Sequence, residues 1–406
     1  MPSSRTFRMI AIVLSLQQAT ACAQELIPPK PENCLRIATY NVSLNRPAAG
    51  KLAADLKAED PQAQSIATVV RAAQPDLLLV NELDYSAETD NAALLEQNYF
   101  AKPQPDLLGG DAWSMPFHYS APSNTGVSSG LDLDNNGRTG EPNDCFGFGR
   151  FPGQYGMALF SRFEIDASKV VTLQKFLWSQ LPDARRPIDP KTKKPFNDDA
   201  TWEKMRLSSK SFWDVPIKTP LGIIHILACH PTPPAFDGAE DRNGCRNHDE
   251  IKLIQHYIES SVALRDDLNR AVKFPTNEAF LVLGDLNCDP KDGDSQPAAL
   301  SALLAHPQMA QAPGPRSIGA EAAAKRQGKQ NTKHKSDPAE DTADFNDTSV
   351  GNLRVDYVLP SRHLEVVASG VFWPRHEDAP SGKLDVVKKL LDASDHHLVW
   401  VDVRLR

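Results

Sequence analysis

Apolar residues along this chain gather in short unbroken runs, and polar residues recur where those runs stop. Leu35–Val42 reads as a strand that delivers Asn41 at its end. Ile66, Val69, Val70 and Ala73 then form a helical stripe closed by Pro75. Leu77–Val80 is a wholly apolar strand with Asn81 and Glu82 at its tip, and Tyr155–Arg162 is a further strand. Phe212–Ile217 and Leu221–Cys229 read as a hairpin whose second arm ends at His230. Ile251, Ile254, Ile258 and Val262 recur at helical spacing and predict an amphipathic helix between Asp249 and Leu268. Phe280–Leu283 fits a strand buried on both faces, and Gly284 follows as a turn residue. On continuing extended backbone, Asp285 and Asn287 would then project from one face. Val355–Leu359 carries Asp356, and Asp395-His396 precedes a last strand in which Val399, Val401, Val403 and Leu405 alternate with Trp400, Asp402 and Arg404.

Three stretches lack such periodicity. Residues 101–153 are rich in Gly, Pro, Asp and Asn. Within them Asp132-Leu-Asp134-Asn-Asn136-Gly137 sets oxygen ligands at alternate positions before a glycine, like the first half of a calcium loop. The later bidentate acid is missing: Asn143 stands there, flanked by Glu141 and Asp144. A plain Asx-rich loop is the competing reading. Residues 182–200 contain Arg185, Arg186, Lys191, Lys193 and Lys194, a pattern more common on solvated surface than in a phosphate-facing patch. Residues 306–350, polar and rich in Ala, Gly and Lys, are expected to be a mobile loop. No repeat or composition break defines a second domain, so residues 24–406 form one.

Composition narrows the setting. Hydrophobic content of 41% and charged content of 24% are those of a soluble globular chain. Residues 1–23 have the form of an export signal: basic Arg5 and Arg8, an apolar Met9–Leu16, and Ala21-Cys22-Ala23 as a cleavage site. No stretch is long enough to span a bilayer. A periplasmic or extracellular location is therefore expected. Loss of the leader moves the formal charge from −8 to −10, which disfavours non-specific coating of nucleic acid. Five cysteines follow the leader, an odd number, with Cys145 and Cys245 the expected pair and Cys229 a buried thiol.

Asn41, Glu82, His230, Asp285, Asn287, Asp356, Asp395 and His396 all stand where apolar runs end. Their contexts are Thr39-Tyr-Asn41-Val, Val80-Asn-Glu82, Cys229-His230-Pro, Gly284-Asp-Leu-Asn287, Arg354-Val-Asp356-Tyr and Ser394-Asp-His396. In order and context this set resembles the endonuclease/exonuclease/phosphatase superfamily typified by pancreatic-type deoxyribonuclease, across essentially the whole mature chain. The resemblance implies an α/β fold, a four-layer α-β-β-α sandwich of two mixed sheets, with the site where their loops converge.

The resemblance also implies roles. Glu82 resembles the main ligand of a divalent cation, Mg²⁺ or Mn²⁺, with Asn41 and Asp395 accompanying it. Asp285 resembles the residue that orients or deprotonates the attacking water, and Asn287 the one that contacts phosphate. His230 and His396 look like the histidine pair, and Asp356 like the acid that fixes the tautomer of His396. His397 is expected to point to the opposite face. Two departures stand out. Leu83-Asp84-Tyr85 follows Glu82 where the nucleases carry arginine, which weighs against minor-groove binding, and Gln154 replaces an acid near the first histidine. Tyr155 and Lys210 are candidates for substrate phosphate contact, although core packing is the simpler account of Tyr155.

The expected activity is phosphate-ester hydrolysis by a single water attack. The substrate stays open among DNA or RNA, small phosphomonoesters and phospholipid. A calcium-stabilised, non-catalytic secreted binding protein is the rival from another class.

Overall fold

The apolar runs pair into two mixed sheets laid face to face. A computed structural model describes residues 27–104, 111–379 and 382–406. The expected leader, residues 1–23, lies outside the described residues.

Leu35–Asn41 (β1) runs parallel to Leu77–Asn81 (β2), and Pro61–Ala73 (α1) makes the crossover between them. Phe117–Tyr119 (β3) and Met157–Ser161 (β4) extend that sheet on one side. In the second sheet, Val171–Thr172 (β5) is followed by the expected hairpin, Phe212–Thr219 (β6) and Gly222–Cys229 (β7). Ala279–Asp285 (β8) lies parallel to β7 and antiparallel to Asp356–Pro360 (β9). Leu364–Val371 (β10) and Val399–Leu405 (β11) return to the first sheet. The strand orders are β10-β11-β1-β2-β4-β3 and β9-β8-β7-β6-β5.

Alternation along the strands builds three cores from two sheets. Ile37, Leu77 and Leu79 meet Val215, Ile226, Leu281 and Leu283 between the sheets. Ala38, Tyr40, Leu78 and Val80 face outward onto Ile66, Val69 and Val70 of α1. On the far side Leu227, Phe280 and Val282 pack against Ile251, Ile254 and Ile258 of Arg242–Glu259 (α2). The result is the expected α-β-β-α sandwich.

Four expectations are corrected. Helix α2 occupies Arg242–Glu259, not Asp249–Leu268. It stops because Ser260 is left-handed and its N–H donates back to His256 and Tyr257 carbonyls. Its first turns are polar, with Asn247 and Glu250 buried among loops, so apolar spacing does not reveal them. Residues 306–350, expected to be mobile, contain the helix Ile318–Gln327 (α3) with Ala320 and Ala323 in the inter-sheet core. Its buried stripe is made of alanines, too small to register as apolar periodicity. Cys145 and Cys245 do not pair; all five described cysteines are free. Cys145 Sγ is 3.7 Å from the Gly149 carbonyl, while Cys245 accepts from Gln296.

Gly284, finally, is no turn: it lies inside β8 at φ +145°, where a Cβ would come within 1.9 Å of the Cys229 carbonyl oxygen. The glycine admits β7, not a change of direction. Lys191, Lys193 and Lys194 are solvent-exposed, and among the described residues no helix is long and apolar enough to cross a membrane.

Candidate functional site

Register decides what the two sheets bring together. Asn41 pairs with Asn81, so the β1 tip stands beside Glu82, and Asp285 pairs with Asp356 at the matching end of the second sheet. Asp285 is the hub. Its Oδ2 accepts from Asn41 Nδ2 at 3.1 Å and lies 3.4 Å from His230 Nε2 and 3.7 Å from His396 Nε2. Its Oδ1 accepts from the Asn287 backbone N–H at 2.8 Å. Burial acts most strongly on this carboxyl and would raise its pKa, but His396, His230 and the Asn287 N–H together outweigh it and hold the group below the usual carboxylate range.

Behind His396 stands Asp356, whose Oδ2 is 2.9 Å from Nδ1 and also accepts from Thr342 Oγ1 at 2.8 Å. Burial alone would depress His396; the charges of Asp356 and Asp285 override it and raise the imidazole pKa well above the ordinary value. His230 is shifted the other way, by burial and then by Lys210. Its Nδ1 is buried and has no hydrogen-bond partner among the described residues.

Glu82 adopts φ +61° at the β2 tip, a left-handed turn that swings its side chain toward β1. Its Oε1 accepts from Asn41 Nδ2 at 3.3 Å and its Oε2 from Asn45 Nδ2 at 2.8 Å. Asp395 is exposed and joins through Ser43, which donates its Oγ to Asp395 at 3.2 Å and its N–H to Asn41 Oδ1. The cleft therefore gathers Asn41, Glu82, His230, Asp285, Asp356 and His396, with Asp395 at its rim.

A model described as the Endonuclease/Exonuclease/phosphatase family matches residues 38–396. The chain belongs to that family. Phosphoester hydrolysis is thereby its class of chemistry, and enzymes of the family use divalent metals. The structure is similar to an endonuclease/exonuclease/phosphatase from Beutenbergia cavernae DSM 12333, at 19% identity and TM-score 0.51, covering 92% of this chain and 72% of that one. It is also similar to a family protein from Leptotrichia buccalis C-1013-b (15% identity, TM-score 0.46, 92% and 99% covered). A third is sphingomyelinase C from Streptomyces griseocarneus (13%, 0.44, 91% and 99%). Among curated proteins, none matches.

In this endonuclease/exonuclease/phosphatase chain the donor set around Glu82 suits a hard cation. It is made of oxygen-bearing groups, and among the described residues no lysine or arginine pairs with Glu82. The Asn41 amide faces both Glu82 and Asp285 with its nitrogen; turning it end over end would offer oxygen instead. Asp285, Asp356 and His396 also bring ligand atoms within 4.8 Å of one another.

Other expected residues are placed differently from the sequence reading. The strand ends at Asp285, and Asn287 is left-handed at φ +49°, so the shared extended face does not form. Its amide instead donates to the Pro231 carbonyl at 3.1 Å. Tyr155, half-buried at φ +57°, gives its N–H to Asp84 and tilts over Phe148. Lys210 is buried and among the described residues makes no side-chain hydrogen bond or ion pair, its charge felt by Glu250, Glu82 and Asp285. His397 packs on Trp373, ring centroids 3.8 Å apart, away from the cleft. In the loop, Asp132 and Asp134 converge with the buried Asp144, while Asn136 gives its amide to Glu141.

Sequence reasoning missed Thr342, Asn45 and Asn81, the last accepting from the Asp285 N–H at 3.2 Å. Asn81 adjoins Glu82 and was visible; Thr342 lies within the presumed loop and carried no signal.

Proposed function

We propose that this chain is an exported hydrolase of phosphate esters, dependent on a divalent cation, that attacks phosphorus with water and forms no covalent enzyme intermediate. The observation carrying this reading is the buried Asp285 carboxyl set among Asn41, His230 and His396. A buried carboxylate held charged can orient a water and take its proton. His396, its Nδ1 fixed by Asp356, offers Nε2 as a donor to the phosphoryl or leaving oxygen. Lys210 supplies an uncommitted positive charge to the phosphate, and Asn287 keeps one amide hydrogen for it. Glu82, with Asn41 and Asp395, would hold Mg²⁺ or Mn²⁺, which relieves charge on the phosphoryl oxygens when bound.

The loop cluster of Asp132, Asp134 and Asp144 has no lysine or arginine partner among the described residues, which supports a structural Ca²⁺ there.

Release from bis-p-nitrophenyl phosphate, p-nitrophenyl phosphate and DNA in Mg²⁺ or Mn²⁺ tests the reading. Preference for the diester or DNA selects a nuclease, and preference for the monoester a phosphatase. Asp285→Asn should lower kcat about 10²–10⁴-fold with Tm nearly unchanged. Activity on none of the three would sink the proposal and favour a binding protein.

A further inference from the structure

We propose that Glu250 is a positioning residue, holding the Lys210 and His230 loops at one spacing and supplying the negative charge that faces the Lys210 ammonium; this rests on the phosphoester-hydrolase reading. Glu250 lies on α2 and is buried. Its Oε1 accepts the Ser209 N–H at 2.6 Å, next to Lys210. Its Oε2 accepts the Thr232 N–H at 2.6 Å, two residues past His230. Phe212 pairs with Cys229, so the segments entering β6 and leaving β7 emerge at the same end of the hairpin. One side chain joins them there.

The preceding turn of α2 holds neighbouring segments. Asn247 Nδ2 donates to the Thr232, Leu286 and Asn287 carbonyls, and the Arg246 guanidinium to those of Phe146, Arg206 and Leu207. Glu250 differs from both in its charge. Two N–H groups aimed at one side chain need two acceptor oxygens, which a carboxylate has and an amide lacks.

Burying that charge is costly, yet among the described residues no lysine or arginine pairs with it directly. The buried ammonium of Lys210 has no direct partner either, and Glu250 is the charge that acts on it most strongly. With both oxygens engaged by backbone, the carboxylate does not close onto the ammonium, which stays open to a phosphate. Glu82 at the β2 tip and Asp285 at the end of β8 also favour the charged lysine, while Arg246 opposes it and His230 feels it in turn. Burial disfavours the ammonium most, so loss of the Glu250 charge should let Lys210 give up its proton at lower pH.

The test uses the full chain with Mg²⁺ and bis-p-nitrophenyl phosphate. It compares Glu250→Gln, close to the native shape, with Glu250→Asp, which keeps the charge on a shorter stem. Each should lose about 10²-fold in kcat/KM at neutral pH, because neither can hold both loops. The alkaline limb of the kcat/KM profile should move to lower pH in Glu250→Gln and stay in place in Glu250→Asp. A merely structural role predicts that the near-isosteric Gln is the milder change and that neither limb moves. Wild-type kcat/KM in both variants, or a limb that Glu250→Gln leaves in place or both variants shift alike, overturns the proposal. If Glu250→Gln does not fold, Glu250→Asp decides: wild-type kcat/KM overturns the proposal, and a loss with the limb in place supports it. Carbon NMR of isotope-labelled lysines, with the Lys210 signal assigned from Lys210→Arg, follows the same titration without turnover. Failure of the hydrolase reading leaves bis-p-nitrophenyl phosphate intact in the wild type. Failure of the Glu250 assignment leaves the Lys210 titration indifferent to Glu250→Gln.

Discussion

Asp356 Oδ2 stands 2.9 Å from His396 Nδ1, and this contact fixes which ring nitrogen faces Asp285. Thr342 holds the same carboxylate oxygen from the other side. Asp356→Asn keeps the size of the side chain but removes the carboxylate charge that does most to raise the His396 pKa, so the ring is less readily the imidazolium that donates from Nε2. We expect kcat to fall about 10²-fold or more with KM little changed. Steady-state kinetics on a p-nitrophenyl ester, with circular dichroism for the fold, checks this. Unchanged kcat would remove Asp356 from the mechanism.

Lys210 offers a sharper separation between structure and function. It is 6% exposed and among the described residues its ammonium forms no hydrogen bond or ion pair, so folding leaves that group desolvated without direct compensation. Burial is the main cause of its lowered pKa. Lys210→Met should therefore hold stability or raise it by about 1–3 kcal/mol. Activity should move oppositely, kcat/KM dropping about 10²-fold as the phosphate loses its cation. Denaturant melts and kinetics on one preparation read both. A loss of stability would mean that the ammonium is structurally paired in solution.

How far the sequence reached can be judged from particular residues. Asn41, Glu82, His230 and Asp285 were legible because each ends an apolar run, and strand ends on one side of a sheet share an edge. Their partners were not. Asp285 and Asp356 are opposed only through the register of β8 and β9, and single-chain periodicity carries no register. The left-handed turns at Glu82 and Asn287 redirect side chains that an extended backbone would have aimed elsewhere. Thr342 reaches the site because Ala343 bridges His396, a pairing made by tertiary packing of a polar segment.

Gly284 tests the join between the second sheet's two central strands. Any Cβ there would overlap the Cys229 carbonyl, and φ +145° is strained for an L side chain. Backbone cannot yield as a side chain can, so Gly284→Ala should cost about 3 kcal/mol or more. Because His230 follows Cys229 directly, activity should fall even in the folded fraction. A Tm within a few degrees of wild type would refute this account of the glycine.

Far from the cleft, His225 gives a pH dependence with a definite sign. Its Nδ1 is 2.6 Å from Asp214 Oδ1 and its Nε2 2.6 Å from Glu278 Oε2, while Tyr257 donates to the other oxygen of Asp214. Burial opposes the charged ring most strongly, but the two carboxylates prevail and the pKa is raised. The folded protein thus binds this proton more tightly than the unfolded chain, where histidine titrates near about 6.5. The stabilisation is complete below that value and is lost as pH rises through the higher folded pKa. His225→Gln should therefore destabilise most near about pH 6 and progressively less toward about pH 9. Thermal melts of both proteins across that range measure the gap. A gap that widened with rising pH would show that the ring is neutral in the folded state.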